Sequence, residues 1–459
     1  MLPVLTAGEM RAADAAALQT VSHETLVGRA GTAVGHEAMR LLGGAYGRKV
    51  AVVAGKGSNG ADGRVAAALL ARRGARVTVI DAAAAPAALP SCDLVIDAAY
   101  GTGFRGTYEA PGPPAGIPVL SVDIPSGVEA DTGAAPGTPF RATCTVTFAA
   151  YKPGLLQGAG AACSGEVQLV DIGVAAASPQ AALIEDADAG ALPARARQSH
   201  KWSAALGIAA GSVGMEGSAV LCTRGAMAGG AGMIRLGSPG NPAAAWPTEA
   251  VRASLEASHW AGAFLAATEK CRAVVIGPGL GTGSATQEEI RAVIAAAPQP
   301  LVIDADGLTA LGDAATARTL LQRRSAPTVL TPHDGEYARV AGSPPGDDRL
   351  AAARDLAGRT GAVVLLKGPL TAVAAPQGGP PDVLLASAGV PALATAGTGD
   401  VLSGLIGAFL ARGVRAHLAA ALAAHVHGRA AAAGRPQGLV AGDLPDLIAA
   451  WLSENSPDG

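Results

Sequence analysis

Short aliphatic runs alternate with longer stretches of helical character along the whole chain. Lys49 to Ala54 is one such run in the first half, and Ala273 to Ile276, Thr328 to Leu330 and Ala362 to Leu366 are three in the second half. Runs of this length and composition are typical of parallel strands that are buried on both faces. Strands that alternate with helices predict an α/β fold, in which ligands bind beyond the carboxyl ends of the strands.

The alternation breaks down in the middle of the chain. After Glu166 to Gly173, which is predicted to be the last strand of a first domain, the sequence turns to Ala, Pro, Asp and Gly as far as Ser199. With 459 residues, the chain also exceeds what one hydrophobic core usually supports. We therefore predict two domains, at residues 1–185 and 200–459, joined by a linker at residues 186–199.

Composition narrows the class of protein. Charged residues make up 15% of the chain and the net charge is −3, so the sequence lacks the basic footprint of a nucleic-acid-binding protein. The five cysteines are widely spaced and no signal peptide is recognised, which favours free thiols in a cytoplasmic protein. The sequence contains no run of about 20 strongly apolar residues, so it predicts no membrane span.

The stretch Thr395 to Asp400, which leads into the apolar segment Val401 to Leu410, has the pattern of a phosphoryl-transfer site. Small residues let backbone N–H groups crowd around an anion, and the start of a helix adds partial positive charge. Asp400 is then placed where a hydroxyl meets the transferred phosphoryl group. Gly-rich turns before helices are also common in proteins as purely structural connections. The turn alone therefore leaves open whether it is a catalytic or a structural feature.

Three other segments of the second half follow predicted strands and carry similar residues: Gly277 to Gly281, Thr331 to Glu336, and Lys367 to Thr371. Ligands bind at such strand ends, so these segments raise the weight of the phosphoryl-transfer interpretation. Asp304 and Asp306 follow a further predicted strand. This pair can hold magnesium on a nucleotide or cap the next helix, and capping is the favoured interpretation.

In the first half, Lys49 to Ala54 leads into the Gly-rich turn Gly55 to Gly63 and then into a helical run. Such a turn receives a phosphate in doubly wound α/β domains, although the spacing of the usual dinucleotide fingerprint is missing. Two later strands end in Asp97 and in Asp123, and Ser126 follows the second of them. Each residue alone can be a helix cap or a turn residue, but their joint occurrence favours a functional site.

These segments, in this order, resemble known families. Residues 196–450 resemble the ADP- or ATP-dependent NAD(P)H-hydrate dehydratases, a branch of the ribokinase-like fold, and the first half resembles the NAD(P)H-hydrate epimerases. The resemblance implies an α/β chain with an N-terminal Rossmann-like three-layer α/β/α domain and a C-terminal ribokinase-like α/β/α domain. It implies nicotinamide nucleotide repair: the R and S forms of hydrated NADH or NADPH are interconverted, and the S form is dehydrated at the expense of ADP, giving AMP and phosphate.

The resemblance also implies roles for individual residues. Asp123 is expected to be the acid/base group of the epimerase and Asp400 the base of the dehydratase, while Asn59, Asp97 and Ser126 are expected to bind potassium. Magnesium, and ADP as phosphoryl donor, are expected in the second domain. The residues implied to bind the hydrated dinucleotide in the first domain are Ser58, Asn59, Gly60, Ala61, Asp62, Gly101, Thr102, Gly103, Phe104, Arg105 and Gly106. Those implied to bind nucleotide or hydrated dinucleotide in the second domain are Ala219, Gly279, His333, Lys367, Gly368, Pro369, Leu370, Thr371, Ala396, Gly397, Thr398 and Gly399.

Some positions depart from the family pattern. Gly28 stands where a glutamate is expected, and Ala61 replaces a glycine, which is unfavourable if the backbone there has positive φ. Two alternatives stay open: a ribokinase-like small-molecule kinase, and a first domain that only binds a nucleotide or a protein partner. An exposed face on the Ala- and Leu-rich segment Ala416 to Ala424 would be compatible with a homo-oligomer.

Overall fold

The computed structural model describes residues 1–241, 246–377 and 379–457. The chain divides into two compact units, Leu2–Gln180 and Ala181–Gly459. Both units are α/β, which confirms the predicted fold class. Within the described ranges, no helix combines the length and the apolar character needed to cross a membrane.

The first domain is built on a parallel sheet. Its strands are β1 (Leu2–Val4), β2 (Lys49–Ala54), β3 (Arg76–Asp81), β4 (Leu94–Ala98), β5 (Tyr108–Glu109), β6 (Val119–Val122), β7 (Gly137–Thr138), β8 (Cys144–Phe148) and β9 (Glu166–Val170). Its helices are α1 (Ala7–Ala17), α2 (His23–Leu42), α3 (Ser58–Arg72), α4 (Pro153–Leu156) and α5 (Gly158–Ser164). Six strands form the main sheet in the order β3-β2-β4-β6-β8-β9, and all its neighbouring pairs are parallel.

Alternation along the central strands builds the core of this domain. Val50 and Val52 of β2 face α2 and α3, whereas Ala51 and Val53 face a second cluster on the other side of the sheet. Because successive strand residues point to opposite faces, a run of small and β-branched side chains fills both layers. The order of the strands places the ends of β2 and β6 on either side of β4.

The second domain has a longer, mixed sheet. Its strands are β10 (Ala181–Leu183), β11 (Ala205–Ala209), β12 (Met233–Gly237), β13 (Val251–Ala253), β14 (Ala273–Ile276), β15 (Leu301–Ile303), β16 (Thr328–Leu330), β17 (Val363–Leu366), β18 (Thr371–Ala374) and β19 (Val383–Ala386). These run in the order β10-β19-β18-β17-β16-β15-β14-β11-β12-β13. Only β18 is antiparallel to its neighbours among these strands.

Helices cover both faces of this sheet. They are α6 (Glu216–Ala228), α7 (Ala261–Thr268), α8 (Ser284–Ala296), α9 (Asp306–Leu311), α10 (Ala314–Leu321), α11 (Asp334–Ala341), α12 (Arg349–Thr360), α13 (Thr398–Ala411), α14 (Ala416–Ala433) and α15 (Leu444–Asn455). Apolar side chains of α6, α13, α14 and α15 form one large cluster with the sheet. The α13 helix is buried along almost its whole length, which explains its unbroken apolar sequence.

The structure places two segments differently from the sequence prediction. Ala181–Leu183 pairs in parallel with Val383–Leu385 of β19, and Asp186 accepts hydrogen bonds from His425 Nε2 at 2.8 Å and Arg429 Nη2 at 2.7 Å. Residues 181–185, predicted in the first domain, and the first part of the predicted linker therefore belong to the second domain. A three-residue strand of Ala, Ala and Leu carries too weak a pattern to be recognised.

The Ala- and Leu-rich segment of α14 also differs from expectation. Residues 419–423 are fully buried in the core of the second domain. They do not form the exposed face on which the expectation of self-association rested. The five predicted free thiols are found as free, buried cysteines: Cys92, Cys144, Cys163, Cys222 and Cys271.

Candidate active sites

The first domain contains a cavity of about 730 Å³ at the carboxyl ends of β2, β4 and β6. This volume lies in the usual range for small-molecule sites. Among the residues predicted to bind the dinucleotide, Ser58, Asn59, Asp62, Gly101, Thr102, Gly103 and Phe104 line the cavity. Gly60, Ala61, Arg105 and Gly106 do not line it, and Arg105 is exposed, with its Nη1 donating to Phe104 O at 2.6 Å.

The Gly-rich turn is shaped by close backbone approach. A Cβ on Gly60 would lie 1.9 Å from Gly55 O, and one on Gly63 would lie 2.5 Å from the Ala98 methyl group. Glycine is therefore required at these two positions. Ala61 lies between them inside α3 with helical backbone, so the expected strain from its methyl group does not arise.

The three predicted potassium ligands converge around Tyr100. Asn59 Nδ2 donates to Tyr100 O at 2.9 Å, and Ser126 Oγ accepts from Tyr100 N at 2.8 Å. Asp97 is fully buried and accepts from Ser126 N at 2.8 Å and from Ser121 Oγ at 3.0 Å. Burial raises the pKa of Asp97 although these hydrogen bonds oppose the effect. Within the described residues, Asp97 has no cationic partner. A buried carboxyl group without a counter-charge, beside the side-chain oxygen atoms of Asn59 and Ser126, fits a monovalent cation.

Asp123 stands at the end of β6 with a left-handed φ of 66°. Its Oδ1 accepts from Lys152 Nζ and from Thr147 Oγ1. Lys152 is completely buried and also donates to Thr147 Oγ1 at 2.9 Å and Phe148 O at 3.0 Å. The sequence reasoning missed Lys152, although a charged residue shortly after a buried strand is an unusual feature in a chain with so few charges.

Asp14, Asp62 and Asp81 also line this cavity, and the first two have shifted pKa values. Burial, and then the negative charge of Asp123, raise the pKa of Asp62 to about 8. The same two causes, in the same order, raise the pKa of Asp14, and the positive charge of Lys152 partly opposes them. Asp14 comes from α1 and was not predicted, because its distance along the chain from the other site residues hides its position.

In the second domain, the predicted phosphoryl-transfer turn forms the start of α13. Gly397 is the N-cap with a φ of 88°, and Asp400 lies in the first turn. The free N–H groups of such a turn point toward an anion. Burial, and then the negative charge of Asp304, raise the pKa of Asp400 to about 6, although a hydrogen bond with Ser218 and the Lys367 charge act in the opposite direction.

Lys367 binds a different carboxylate from the one predicted to act as base. Its Nζ lies 3.0 Å from Asp304 Oδ1 and 3.5 Å from Glu336 Oε2, and a Cβ on Gly399 would lie 3.6 Å from it. Burial opposes the charge of Lys367, but Asp304 and Glu336 outweigh this effect and raise its pKa. The lysine therefore remains charged beneath the first turn of α13.

The favoured capping interpretation of Asp304 and Asp306 is wrong. The N-cap of α9 is Ala305, which makes no side-chain cap, and Asp306 Oδ2 accepts from Gly281 N at 2.7 Å. Asp304 Oδ2 instead accepts from Ser403 Oγ at 2.6 Å. Burial alone would raise the pKa of Asp304, but the Lys367 charge and the hydrogen bonds outweigh it and lower the pKa.

The glycine segment after β14 packs against the same site. A Cβ on Gly277 would lie 1.9 Å from Asp304 O, and one on Gly279 would lie 2.8 Å from Ser218 Cβ. Ser218 is also the hydrogen-bond partner of Asp400. Gly279 therefore lies beside the residue that bonds to Asp400, and Ala219, the next residue of α6, is buried.

His333 has a structural contact of its own. Its Nδ1 accepts from Gly335 N at 3.0 Å and caps α11, while Glu336 Oε2 accepts from His333 N at 2.9 Å. Its Nε2 lies 3.6 Å from Glu336 Oε1, and the side chain is 60% exposed. The capping box also fixes Glu336, which in turn contacts Lys367.

Arg349 supports the segment after Lys367 and was missed by the sequence reasoning. Its Nη2 donates to Lys367 O at 2.6 Å and its Nε to Leu370 O at 3.3 Å. Leu370 is buried, so this predicted binding residue faces the core. Thr371 Oγ1 donates to Gly368 O at 3.3 Å and so closes the same turn.

Comparisons with known proteins agree with this division into two sites. The family described as NAD(P)H-hydrate dehydratase matches residues 206–453, and the family described as YjeF-related protein N-terminus matches residues 23–90 and 80–154. The bifunctional NAD(P)H-hydrate repair enzyme Nnr of Mycobacterium tuberculosis is 41% identical over an alignment of 430 positions that covers 86% of each chain.

Solved structures resemble the second domain. A ribokinase-like superfamily protein from Enterococcus faecalis matches with a TM-score of 0.53 at 21% identity and covers 60% of this chain and 97% of its own. The ADP/ATP-dependent NAD(P)H-hydrate dehydratase from Bacillus subtilis, co-crystallised with ATP and Mg²⁺, matches with a TM-score of 0.49 at 29% identity, over 59% of this chain and 97% of its own.

A parallel-sheet domain and a ribokinase-like domain, each with its own carboxylate site, define a two-domain α/β enzyme. The chain belongs to the family of bifunctional NAD(P)H-hydrate repair enzymes. It combines NAD(P)H-hydrate epimerase and ADP/ATP-dependent dehydratase activities. The resemblance stated from the sequence is confirmed, and the small-molecule kinase alternative is not supported.

Proposed function

We propose that the second domain dehydrates the S form of hydrated NADH or NADPH with ADP as phosphoryl donor, and that Asp400 is its general base. The observation that carries this proposal is the position of Asp400 in the first turn of α13, where the Lys367 charge acts on it. A pKa of about 6 leaves Asp400 ionised at neutral pH, yet basic enough to accept a proton.

The chemistry follows from the substrate. The hydroxyl group of the hydrated ring is a poor leaving group, and transfer of phosphate to it makes a good one. Asp400 takes the hydroxyl proton as the oxygen attacks the terminal phosphoryl group. The N–H groups of residues 396–399 and the charge of Lys367 stabilise the negative charge that develops. The electron pair of the ring nitrogen then expels phosphate and forms a C=N bond, and loss of a proton from the neighbouring ring carbon restores the reduced nicotinamide.

Magnesium is expected to arrive with the phosphates of the nucleotide. The described residues contain no cluster of three or more His, Cys, Asp or Glu side chains suited to a metal ion. Mg²⁺ commonly uses one or two carboxylates and substrate phosphates in place of an all-protein cage. Two acids follow β15, and Asp304 is paired with Lys367. Asp306, whose Oδ2 accepts from Gly281 N, is therefore the candidate carboxylate for magnesium.

For the first domain, we propose that Asp123 acts as acid/base group in the interconversion of the two epimers. Asn59, Asp97 and Ser126 are proposed to hold potassium, which supplies a positive charge beside the buried Asp97 and ties together the turns around Tyr100. A carboxyl group that is fully buried with no cationic partner among the described residues supports this assignment.

The test is a reaction with a defined epimer mixture. The protein is incubated with hydrated NADH, magnesium and either ADP or ATP, and NADH, phosphate and the nucleotide product are quantified by chromatography. We expect both epimers to disappear, with one phosphate and one AMP formed per NADH when ADP is the donor. A stable phosphate ester without NADH would contradict the proposal, and a higher rate with ATP would overturn only the choice of donor.

A further inference from the structure

Asp62 places a buried carboxyl group without a bonding partner in the epimerase cavity, among the described residues. It comes from the N-terminal half of α3, lines the cavity, and is only 7% exposed. In the part of the chain that the structure describes, its carboxyl oxygens make no hydrogen bond and no ion pair. A buried carboxyl group left in this state is costly unless it is protonated or meets a ligand.

The neighbouring Asp123 is in the opposite situation. Lys152 directs its three N–H donors to Asp123, Thr147 and Phe148, so none remains for Asp62. The other ionisable groups that line the cavity are Asp14 on α1, His23 on α2, Lys56 before α3, Asp81 at the end of β3 and Tyr100 after β4. The pKa of Asp62 is raised to about 8 by burial and then by the Asp123 charge, so this group carries a proton at neutral pH.

We propose that Asp62 is a second catalytic residue of the epimerase, a proton donor that works with Asp123 on opposite faces of the substrate ring. The inference rests on the proposed epimerase function of the first domain. Asp62 follows β2 and Asp123 follows β6, and these two strands lie on either side of β4. Both carboxyl groups line the same cavity, and the Asp123 charge acts on Asp62, so the two groups can reach one substrate ring.

The reaction can be written with atoms and charges balanced. Asp62 protonates the ring hydroxyl, the C–O bond breaks with its electrons going to oxygen, and water leaves while the ring nitrogen forms a C=N bond. Another water molecule attacks the same carbon from the opposite face, the C=N electrons return to nitrogen, and Asp123 takes the proton. One oxygen atom is exchanged and one proton passes from Asp62 to Asp123, and exchange with solvent restores both groups. The reverse reaction uses them in exchanged roles.

The experiment measures epimer inversion in water enriched in ¹⁸O. In the wild-type protein we expect one ¹⁸O atom to enter the ring hydroxyl per inversion. Asp62→Asn should slow inversion by about 10²-fold or more, the scale of general acid catalysis. Dehydration of the purified S epimer by the same preparation should stay at the wild-type rate, which shows that the effect is confined to the first domain. Asp93→Asn is the matched control, because Asp93 lies outside the cavity and accepts from Lys49 N.

Three results would overturn the proposal: inversion by Asp62→Asn near the wild-type rate, inversion without ¹⁸O uptake, or loss of inversion in Asp14→Asn with Asp62→Asn unaffected. In each case, an Asp123→Asn variant that cannot invert the epimers would still support the proposed epimerase function. A wild-type protein that does not invert the epimers at all would instead contradict the proposed function itself.

A second measurement keeps the proposal testable if Asp62→Asn does not fold. The donor must be protonated, so inversion by the wild-type protein should decline as pH rises through about 8, the pKa of Asp62. The spontaneous rate of interconversion is subtracted at each pH. A rate that stays constant from neutral pH to well above this value would contradict the role of Asp62 as donor.

Discussion

The two sites contain the same pair of residue types, a lysine and an aspartate at a strand or helix end, but connect them differently. In the first domain, Lys152 binds Asp123 directly, the residue proposed to act on the substrate. In the second domain, Lys367 binds Asp304 and Glu336, and the proposed base Asp400 makes no ion pair among the described residues. In the first domain, the lysine is thus paired with the proposed reacting group. In the second domain, it is paired with two carboxylates other than the proposed base.

This difference explains the different protonation behaviour of the two sites. Because Lys367 is shared by two other carboxylates, burial and the Asp304 charge can raise the pKa of Asp400 to about 6. In the first domain Asp62, whose pKa is raised to about 8, makes no ion pair with the lysine among the described residues. In both sites, therefore, a carboxyl group that is not paired with the lysine is tuned toward neutral pH.

The largest effect is expected from Lys152→Met. Removing one partner of a buried ion pair costs roughly 3 kcal/mol of folding free energy, and the cost is near the lower end of the usual range because Asp123 is 17% exposed. Epimerisation should also fall, by about 10²-fold. Chemical denaturation and epimer inversion measure the two effects. Lys49→Met, at an exposed lysine of β2, is the control, and a Lys152→Met protein as stable and active as wild type would contradict the comparison.

A smaller effect is expected from Asp304→Asn. Asp400 must be ionised to accept a proton, so dehydration is lost as pH falls through its pKa of about 6. Removing the Asp304 charge lowers the pKa of Asp400, so the acid limb of the pH–rate profile should move to lower pH by about one unit. Asp313→Asn, at the N-cap of α10, serves as control. An acid limb that stays in place or moves upward would contradict the role given to Asp304.

The smallest effect is expected from exchange of the monovalent cation. Replacing potassium by lithium should slow epimerisation several-fold, since the smaller ion fits the oxygen atoms of Asn59, Asp97 and Ser126 less well. An Asp97→Ala variant should be slower and insensitive to the choice of ion. Equal rates in the two salts, together with full activity of Asp97→Ala, would remove the potassium assignment.

The sequence predicted the strands that carry β-branched residues and the glycine turns that follow them. These features are local: β2, β14 and β16 have the predicted bounds, and the Asp400 turn starts a helix as expected. Alanine-rich strands, such as β10 and β11, were not recognised because they lack a run of β-branched or aromatic residues.

The parts of the sites that escaped prediction depend on contacts between distant segments. Lys367 and Asp304 are 63 residues apart, and Ser403 reaches Asp304 from a different helix. Lys152 is likewise 29 residues from Asp123. Pattern reasoning finds which residues end a strand, but the register of the sheet decides which of them become ion-pair partners.

The most direct test of the account is a comparison of Asp123→Asn and Asp400→Asn with an epimer mixture, ADP and magnesium. Both substitutions keep the shape of the side chain and remove its ability to accept a proton. We expect Asp400→Asn to lose about 10²-fold or more in dehydration while epimers still interconvert, and Asp123→Asn to repair the S form while the R form accumulates. Chromatography of both epimers and NADH distinguishes these outcomes. Regeneration of NADH by Asp400→Asn at near the wild-type rate would contradict the proposed phosphoryl-transfer site at the start of α13.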